Sequence, residues 1–153
     1  MKLLDVNVIL AAHRDDHPDF TTARAWLDHM LRSRERFSVI DIVAGAFLRV
    51  ATNRRIFPVP TPLPTAFAYL SALRAQPGHV RLAPGADHLR LLQRLCEETE
   101  ASGDLIPDAQ LAAIAIEQAC ELVSFDRDFA RFSMVRWVRP PDSAASAPRA
   151  PSA

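Results

Sequence analysis

The stretch KLLDVN (residues 2–7) decides the fold that the sequence predicts. Residues 2–6 are predicted to form a short buried strand, and residues 7–12 a helical turn directly after it. Asp5 lies inside the apolar part, where a carboxylate is unfavourable unless it is paired or binds a metal. An N-cap of the following turn would also explain it. We favour a functional role, because ligands of open parallel sheets bind beyond the carboxyl ends of the strands.

Working outward, strand and helix patterns alternate along the chain. Further strands are predicted at 36–40, 79–83, 121–124 and 135–138, and helices at 18–32, 41–52, 65–76, 86–101 and 108–119. The proline-rich stretch 53–64 is predicted to be irregular. This alternation favours an α/β fold with a parallel sheet covered on both faces. We expect one domain over residues 1–140 and a disordered tail rich in Pro, Ala and Ser over residues 141–153.

The composition narrows the class of protein. The chain has 153 residues, 49% of them apolar, and a formal net charge of zero, so bulk positive charge cannot hold it to nucleic acid. Lys2 is the only lysine, so local phosphate binding would depend on arginine. Cys96 and Cys120 have neither disulfide nor metal-site spacing. With no apolar run of membrane-spanning length, and with Asp5 inside the first apolar stretch, we expect a cytosolic protein with reduced thiols.

Aspartates recur where predicted strands end or helices begin. Asp108 opens the predicted helix 108–119, and Asp126 and Asp128 follow the strand 121–124. Each of these aspartates alone suits a helix cap. A parallel sheet, however, would bring these three and Asp5 together at the edge formed by the carboxyl ends of its strands. Clustered carboxylates stay ionised together only beside a cation. Oxygen ligands without Cys or His favour Mg²⁺ or Mn²⁺, and such a metal promotes phosphodiester cleavage.

Three segments in this order resemble a known family. LLDVN (residues 3–7), LIPDAQLAA (105–113) and LVSFDRDF (122–129) are similar to the best-marked motifs of PIN-domain nucleases, most closely the VapC toxins of bacterial toxin–antitoxin pairs. The resemblance covers residues 2 to about 140. It implies a three-layer α/β/α fold with a short, mostly parallel central sheet. It also implies a cytoplasmic, Mg²⁺-dependent endoribonuclease, with Mn²⁺ as a substitute, that cleaves tRNA or rRNA, forms a homodimer and is neutralised by a small cognate antitoxin.

The same resemblance implies roles for individual residues. The catalytic carboxylates would be Asp5, Asp108, Asp126 and Asp128. The first three would bind the metal, and Asp128 would be an outer or second-metal ligand. Asn7 and Ser124 would support the site through hydrogen bonds.

One departure from the family pattern keeps other functions open. PIN nucleases usually carry a glutamate where this chain has Ala46, beside Gly45. Asp41 is more than a helical turn away and is expected to point elsewhere. Asp104 is an extra carboxylate where the family often has a neutral amide, and it could partly substitute for the glutamate. The loss would weaken binding of a second metal, so a PIN-like module that binds RNA or antitoxin without turnover is the alternative. Phosphoryl transfer to an aspartate is disfavoured, because Asn7 replaces the second aspartate and no later lysine exists.

The remaining candidates have ordinary explanations of comparable weight. His13 and His17 stand at a zinc-compatible spacing, but we expect them in a solvated loop. Five arginines are candidate RNA contacts or simply solvated: Arg49, Arg54, Arg55, Arg127 and Arg131. Four aromatic side chains are expected in the core rather than as base-stacking platforms: Trp26, Phe47, Phe67 and Phe129.

Overall fold

A computed structural model describes residues 1–141. The predicted tail falls almost wholly on residues 142–153, outside the described part of the chain. The elements in chain order are β1 (Lys2–Leu4), α1 (Val6–His13), α2 (Phe20–Arg32), β2 (Phe37–Ser38), α3 (Asp41–Ala51), α4 (Leu63–Arg74), α5 (His88–Thr99), α6 (Leu105–Glu117), β3 (Glu121–Val123), a 3₁₀ helix (Arg127–Arg131) and β4 (Trp137–Val138).

The strands form a four-stranded sheet in the order β2-β1-β3-β4, and every pairing is parallel. Leu3 pairs with Ser38 on one side and with Leu122 on the other. The predicted α/β class and three-layer architecture are confirmed. The sheet is entirely parallel over the described residues, where the sequence predicted a mostly parallel one.

Helices cover both faces of the sheet. Leu3 and Leu4 point to opposite faces because side chains alternate along a strand, and both are fully buried. α1 packs against α2 and α3, while α5 packs against α6, which also contacts β3. None of the helices within residues 1–141 is long and apolar enough to cross a membrane. Cys96 and Cys120 are free thiols, as predicted.

The predicted strand at 79–83 is wrong: only a single parallel bridge joins His79 to Phe37. Val80 N donates to Phe37 O at 2.8 Å, but the next ladder donor, Val39 N, donates to the side-chain Nε2 of His79 at 3.3 Å. The imidazole thus takes the place of a backbone acceptor, and the ladder ends there. The preceding Gly78 is required by close packing, because a Cβ at this position would lie 2.5 Å from Glu35 O.

Two helices begin earlier than the sequence predicted. α4 begins at Leu63 rather than at residue 65, and α6 begins at Leu105 rather than at Asp108. Each contains a proline in its first turn, where the missing N–H would have no helical acceptor anyway. The sequence prediction wrongly left Pro107 outside the helix. Asp108 is therefore inside the first turn of α6 and is not its N-cap.

Candidate active site

Asp5 lies at the junction of β1 and α1 and is 6% exposed. Its backbone N–H donates to Val123 O of β3 at 3.0 Å, which fixes it at the carboxyl edge of the sheet. Its Oδ1 accepts from Val6 N at 2.6 Å, and its Oδ2 accepts from Ser124 Oγ at 2.6 Å. Burial raises the pKa of Asp5, and the nearby charge of Asp126 adds to the shift. Asp5 is thus both the cap of α1 and a carboxylate oriented at the site.

Ser124 connects the first and third motifs. Its buried hydroxyl donates to Asp5 and accepts from Asn7 Nδ2 at 2.9 Å and from Asp126 N at 3.0 Å. These three bonds use the full capacity of a hydroxyl, one donor and two acceptors. Asn7 Oδ1 in turn accepts from Phe125 N at 3.1 Å. Asn7 and Ser124 therefore occupy the positions expected of residues that orient the carboxylates.

Asp108 is half-buried on α6, facing the other carboxylates. Burial, followed by the charges of Asp5, Asp126, Asp128 and Asp104, raises its pKa to about 7. Near neutral pH this carboxyl is therefore partly protonated when no cation is present. A divalent cation would displace that proton and neutralise the surrounding charge.

Asp126 and Asp128 lie just past β3. Asp126 is the N-cap of the 3₁₀ helix, and its Oδ1 accepts from Asp128 N at 2.9 Å. One oxygen each of Asp108, Asp126 and Asp128 can be chosen so that all three lie within 4.8 Å of one another. Opposite oxygen ligands of an octahedral Mg²⁺ are about 4.2 Å apart, since each Mg–O bond is about 2.1 Å. A small inward movement would let these oxygens share one hard cation. We call these three residues the acidic cluster.

The structure does not include Asp5 in the acidic cluster. Both of its oxygens accept hydrogen bonds from the protein, and it adjoins the cluster as a coupled charge, since it contributes to the raised pKa of Asp108. Asp128, predicted as an outer or second-metal ligand, lies in the cluster. Asp104, the extra carboxylate, is exposed at the N-cap position of α6 and is outside it.

With this geometry established, comparisons with known proteins are decisive. The PIN domain family model matches residues 2–134. Ribonuclease VapC25 of Mycobacterium tuberculosis is 56% identical over 92% of this chain and 99% of its own length. The chain belongs to the PIN-domain family, among the VapC ribonucleases.

Solved structures agree on the PIN fold. VapBC2 from Rickettsia felis, bound to a DNA fragment from its promoter, superposes with a TM-score of 0.67 over 90% of this chain and 97% of that chain, at 17% identity. Mycobacterium tuberculosis VapC20, described as a sarcin-ricin loop cleaving toxin, gives 0.66 over 92% of this chain and 100% of that chain, at 19% identity. At these identities the likeness shows the fold alone.

α3 carries Ala46, which the sequence predicts to stand in place of the usual glutamate of PIN nucleases. Ala46 is half-buried there, and a Cβ on the adjacent Gly45 would meet nothing within 4 Å. Asp41 points elsewhere, as predicted: its Oδ1 accepts from Arg74 at 2.7 Å and its side chain is 82% exposed. Within the described chain, the acidic cluster takes Asp108 from α6, Asp126 from the cap of the 3₁₀ helix and Asp128 from that helix.

The candidate RNA-contact arginines are all exposed. Arg49 is on α3, Arg54 and Arg55 follow it, and Arg127 begins the 3₁₀ helix beside Asp126. None of these four makes an ion pair with any residue of the 1–141 range. Arg131 differs, because it donates to Thr99 O at 3.0 Å.

Two expectations about other side chains are wrong. His13 is not in a solvated loop: it ends α1, and its ring packs against Phe47 and Tyr69 with centroids 5.4 and 4.5 Å away. Phe67 is 52% exposed, whereas Phe47 and Phe129 are fully buried and Trp26 packs against the core as predicted. The buried face of α4 is formed by Ala66, Leu70 and Leu73, and Phe67 lies outside it.

Two side chains have structural roles that sequence reasoning missed. Trp137 Nε1 donates to Ser124 O at 3.0 Å and so ties β4 to the loop that carries Asp126. Arg14 is 8% exposed, and its Nε and Nη2 donate to the two carboxylate oxygens of Asp16. The guanidinium also donates to Val59 O and Thr61 Oγ1 and lies 3.7 Å from the centre of the Phe57 ring. Neither signal is visible in sequence, because both depend on contacts between distant segments.

Proposed function

We propose that this protein is a Mg²⁺-dependent endoribonuclease toxin that cleaves structured RNA, a tRNA or an rRNA, and that a small cognate antitoxin neutralises it. The acidic cluster at the carboxyl edge of the sheet carries the proposal. Carboxylates without sulfur or imidazole ligands favour hard cations such as Mg²⁺, with Mn²⁺ as a substitute. The relationship to VapC25, a named ribonuclease, supports RNA as the substrate class.

The residues present suit a divalent cation. Asp108, Asp126 and Asp128 would hold it together with Asp5, whose hydrogen bonds from Ser124 and Val6 keep its carboxylate oriented. A bound cation of this kind supplies activated water and stabilises the leaving oxygen in phosphodiester hydrolysis. Deprotonation of Asp108 near pH 7 would accompany metal binding, so affinity should rise with pH.

RNA would be held by local charge. The chain is neutral overall, so the four exposed arginines named above are the candidates for phosphate contacts around the acidic cluster. Arginine offers a planar fork that matches phosphate geometry. We place the enzyme in the cytoplasm, where such RNAs are found.

A protein partner and a second copy of the chain are part of the proposal. Ile56, Val59, Leu63 and Phe67 expose between 48% and 78% of their surface around the start of α4. Exposed apolar groups of this kind are typical of protein–protein contacts. The VapBC2 structure from Rickettsia felis, in which toxin and antitoxin are described together, supports an antitoxin partner. Light scattering of the free protein tests the homodimer.

The first experiment is cleavage of deproteinised tRNA and rRNA by purified, antitoxin-free protein in Mg²⁺, in Mn²⁺ and in EDTA. Asp126→Asn keeps the size and the cap acceptor of the side chain but removes a cluster charge. Asp15→Asn, an exposed aspartate in the loop after α1, is the matched control. We expect discrete fragments from the wild type and Asp15→Asn, and none from Asp126→Asn or in EDTA. Undiminished cleavage by a folded Asp126→Asn variant would refute the proposal.

The missing α3 glutamate supports a second candidate, a PIN-fold module that binds RNA or antitoxin with weak or no turnover. Ala46→Glu restores a carboxylate at the usual position. If this reading is right, the wild type binds RNA without cutting it, and Ala46→Glu gains cleavage. Full cleavage by the wild type would exclude it.

A further inference from the structure

A cavity with positively charged lining residues, in contrast to the acidic cluster, lies beside the end of β2. Its volume is about 140 Å³, and it is lined by Arg74, His79 and Arg81 together with residues 39–41, Leu82 and Ala83. The bridge between Phe37 and His79 is parallel, so the chain leaves this segment in the same direction as β1 and β2. The cavity therefore opens at the carboxyl edge of the sheet, the edge that carries the acidic cluster.

The cavity offers hydrogen-bond donors that the described chain does not use. Arg74 donates from Nε to Val39 O and from Nη2 to Asp41 Oδ1, and its Nη1 has no acceptor within the described residues. Arg81 makes no hydrogen bond or ion pair through its side chain with any residue in 1–141. His79 Nε2 accepts from Val39 N, so in the neutral ring the proton is on Nδ1, where it is a donor.

The charge balance favours an anion. Asp41 is the carboxylate of the cavity, and its pairing with Arg74 offsets one guanidinium. Arg81 then contributes an unbalanced positive charge. Burial above all lowers the pKa of His79, so the ring is neutral at pH 7 and acts as a donor rather than a cation. Two guanidinium groups and one N–H donor around a small cavity suit a phosphate group, whose oxygens accept several such bonds.

We propose that this cavity, formed by Arg74, His79 and Arg81, binds a backbone phosphate of the RNA next to the stretch held at the acidic cluster. The inference rests on the proposed ribonuclease function and adds a path for the substrate. β1 lies between β2 and β3, so the cavity is two to three strand spacings, roughly 10–15 Å, to the side of β3, after which Asp126 and Asp128 follow. An RNA strand whose phosphate is bound there would run along the carboxyl edge of the sheet toward the acidic cluster. A cation is needed at the cluster to offset the repulsion between its carboxylates and the RNA phosphates.

Arg81 is the residue to change, because it is exposed and makes no contact that folding requires. Arg136→Ala is the matched control. Arg136 directly precedes β4, the outer strand on the other side of the sheet from β2, and its side chain is 80% exposed. Its Nη2 lies 3.7 Å from Glu121 Oε2. Both changes are made in Asp126→Asn protein, so that RNA is bound but not cut. Binding of a short fluorescein-labelled single-stranded RNA of mixed sequence is measured by anisotropy over a series of salt concentrations.

We expect Arg81→Ala to weaken binding about tenfold, the effect of losing a charged hydrogen bond. The slope of log K against log salt should fall by about 0.7, the value for one phosphate contact on a single strand. Arg136→Ala should leave both unchanged. Equal behaviour of the two variants would overturn the inference, as would an Arg81→Ala variant that loses affinity for the antitoxin but not for RNA.

The result is separable from the proposed function. Binding needs no cleavage, so an Arg81 effect without RNA cleavage by the wild type would count against the nuclease proposal alone. Cleavage by the wild type with no Arg81 effect would count against the cavity alone.

Discussion

Removing the charge of Asp108 should stabilise the metal-free protein at alkaline pH. The pKa of this carboxyl is about 7 in the folded protein, against 3.8 for an unperturbed group. Each unit of difference corresponds to about 1.4 kcal/mol, so a fully shielded carboxyl would cost about 4 kcal/mol when ionised. Asp108 is only half-buried, and solvent screening reduces the figure to about 2 kcal/mol. Asn lacks the favourable interaction of Asp with the first turn of α6, so a net gain of about 1.5 kcal/mol is expected for Asp108→Asn.

The sign follows from which state holds the proton. Because the folded pKa is raised, the folded state keeps its proton between about pH 4 and pH 7 while the unfolded chain has lost it. The wild type therefore loses stability as pH rises through this window and stays penalised above it. The raised pKa of Asp5 acts in the same direction.

Thermal melts in EDTA at about pH 4 and about pH 8 measure the effect. At the higher pH, Asp108→Asn should melt about 3–6 °C above the wild type, and near pH 4 the difference should nearly vanish. Mg²⁺ should raise the wild-type midpoint at pH 8 and have little effect on the variant. Asp15→Asn, outside the acidic cluster, should match the wild type throughout. A midpoint difference that is absent at pH 8, or equal at both pH values, would refute the idea that crowded carboxylates strain the empty site.

Three further changes test the structure around the cluster. Ser124→Ala removes three hydrogen bonds from a buried hydroxyl; it should cost about 2–3 kcal/mol of stability and weaken Mn²⁺ binding 10–100-fold in calorimetric titrations. Trp137→Phe keeps most of the ring but loses the bond to Ser124 O, so urea unfolding should show a loss of about 1 kcal/mol and the Mn²⁺ affinity should fall less than in Ser124→Ala. Arg14→Lys loses the forked pairing with Asp16 and should cost about 2 kcal/mol and hasten proteolysis within 53–62, yet leave Mn²⁺ affinity unchanged.

Local patterns were sufficient to predict most elements, because apolar periodicity and helix boundaries are local properties. The error at α6 had a specific cause: proline suits both a turn and the first turn of a helix, and the sequence alone does not distinguish them. The wrongly predicted strand at 79–83 had a different cause. That segment has the apolar content of a strand, but Val39 N donates to the side chain of His79 rather than to the backbone, and the ladder ends there.

For the acidic cluster, the sequence predicted where the carboxylates gather, whereas the folded structure determined how their oxygens are arranged. Aspartates after strands and at helix starts predicted one edge for Asp5, Asp108 and Asp126, since parallel strands end together. Which oxygens approach one another depends on side-chain direction, and that is set by hydrogen bonds from other segments. Ser124 and Val6 each donate to one oxygen of Asp5, while an oxygen of Asp128 lies within 4.8 Å of an oxygen of Asp108.

The sequence by itself determined the α/β class, the parallel sheet, the family motifs and the edge at which carboxylates gather, because each follows from the order and spacing of residues along the chain. Tertiary structure alone decided that Ser124 links Asp5, Asn7 and Asp126, that Trp137 donates to Ser124 O, and that Arg74, His79 and Arg81 line one cavity. Those facts concern residues that are far apart in sequence and meet only when helices and strands pack. Their energies depend on distances and burial that no local pattern contains.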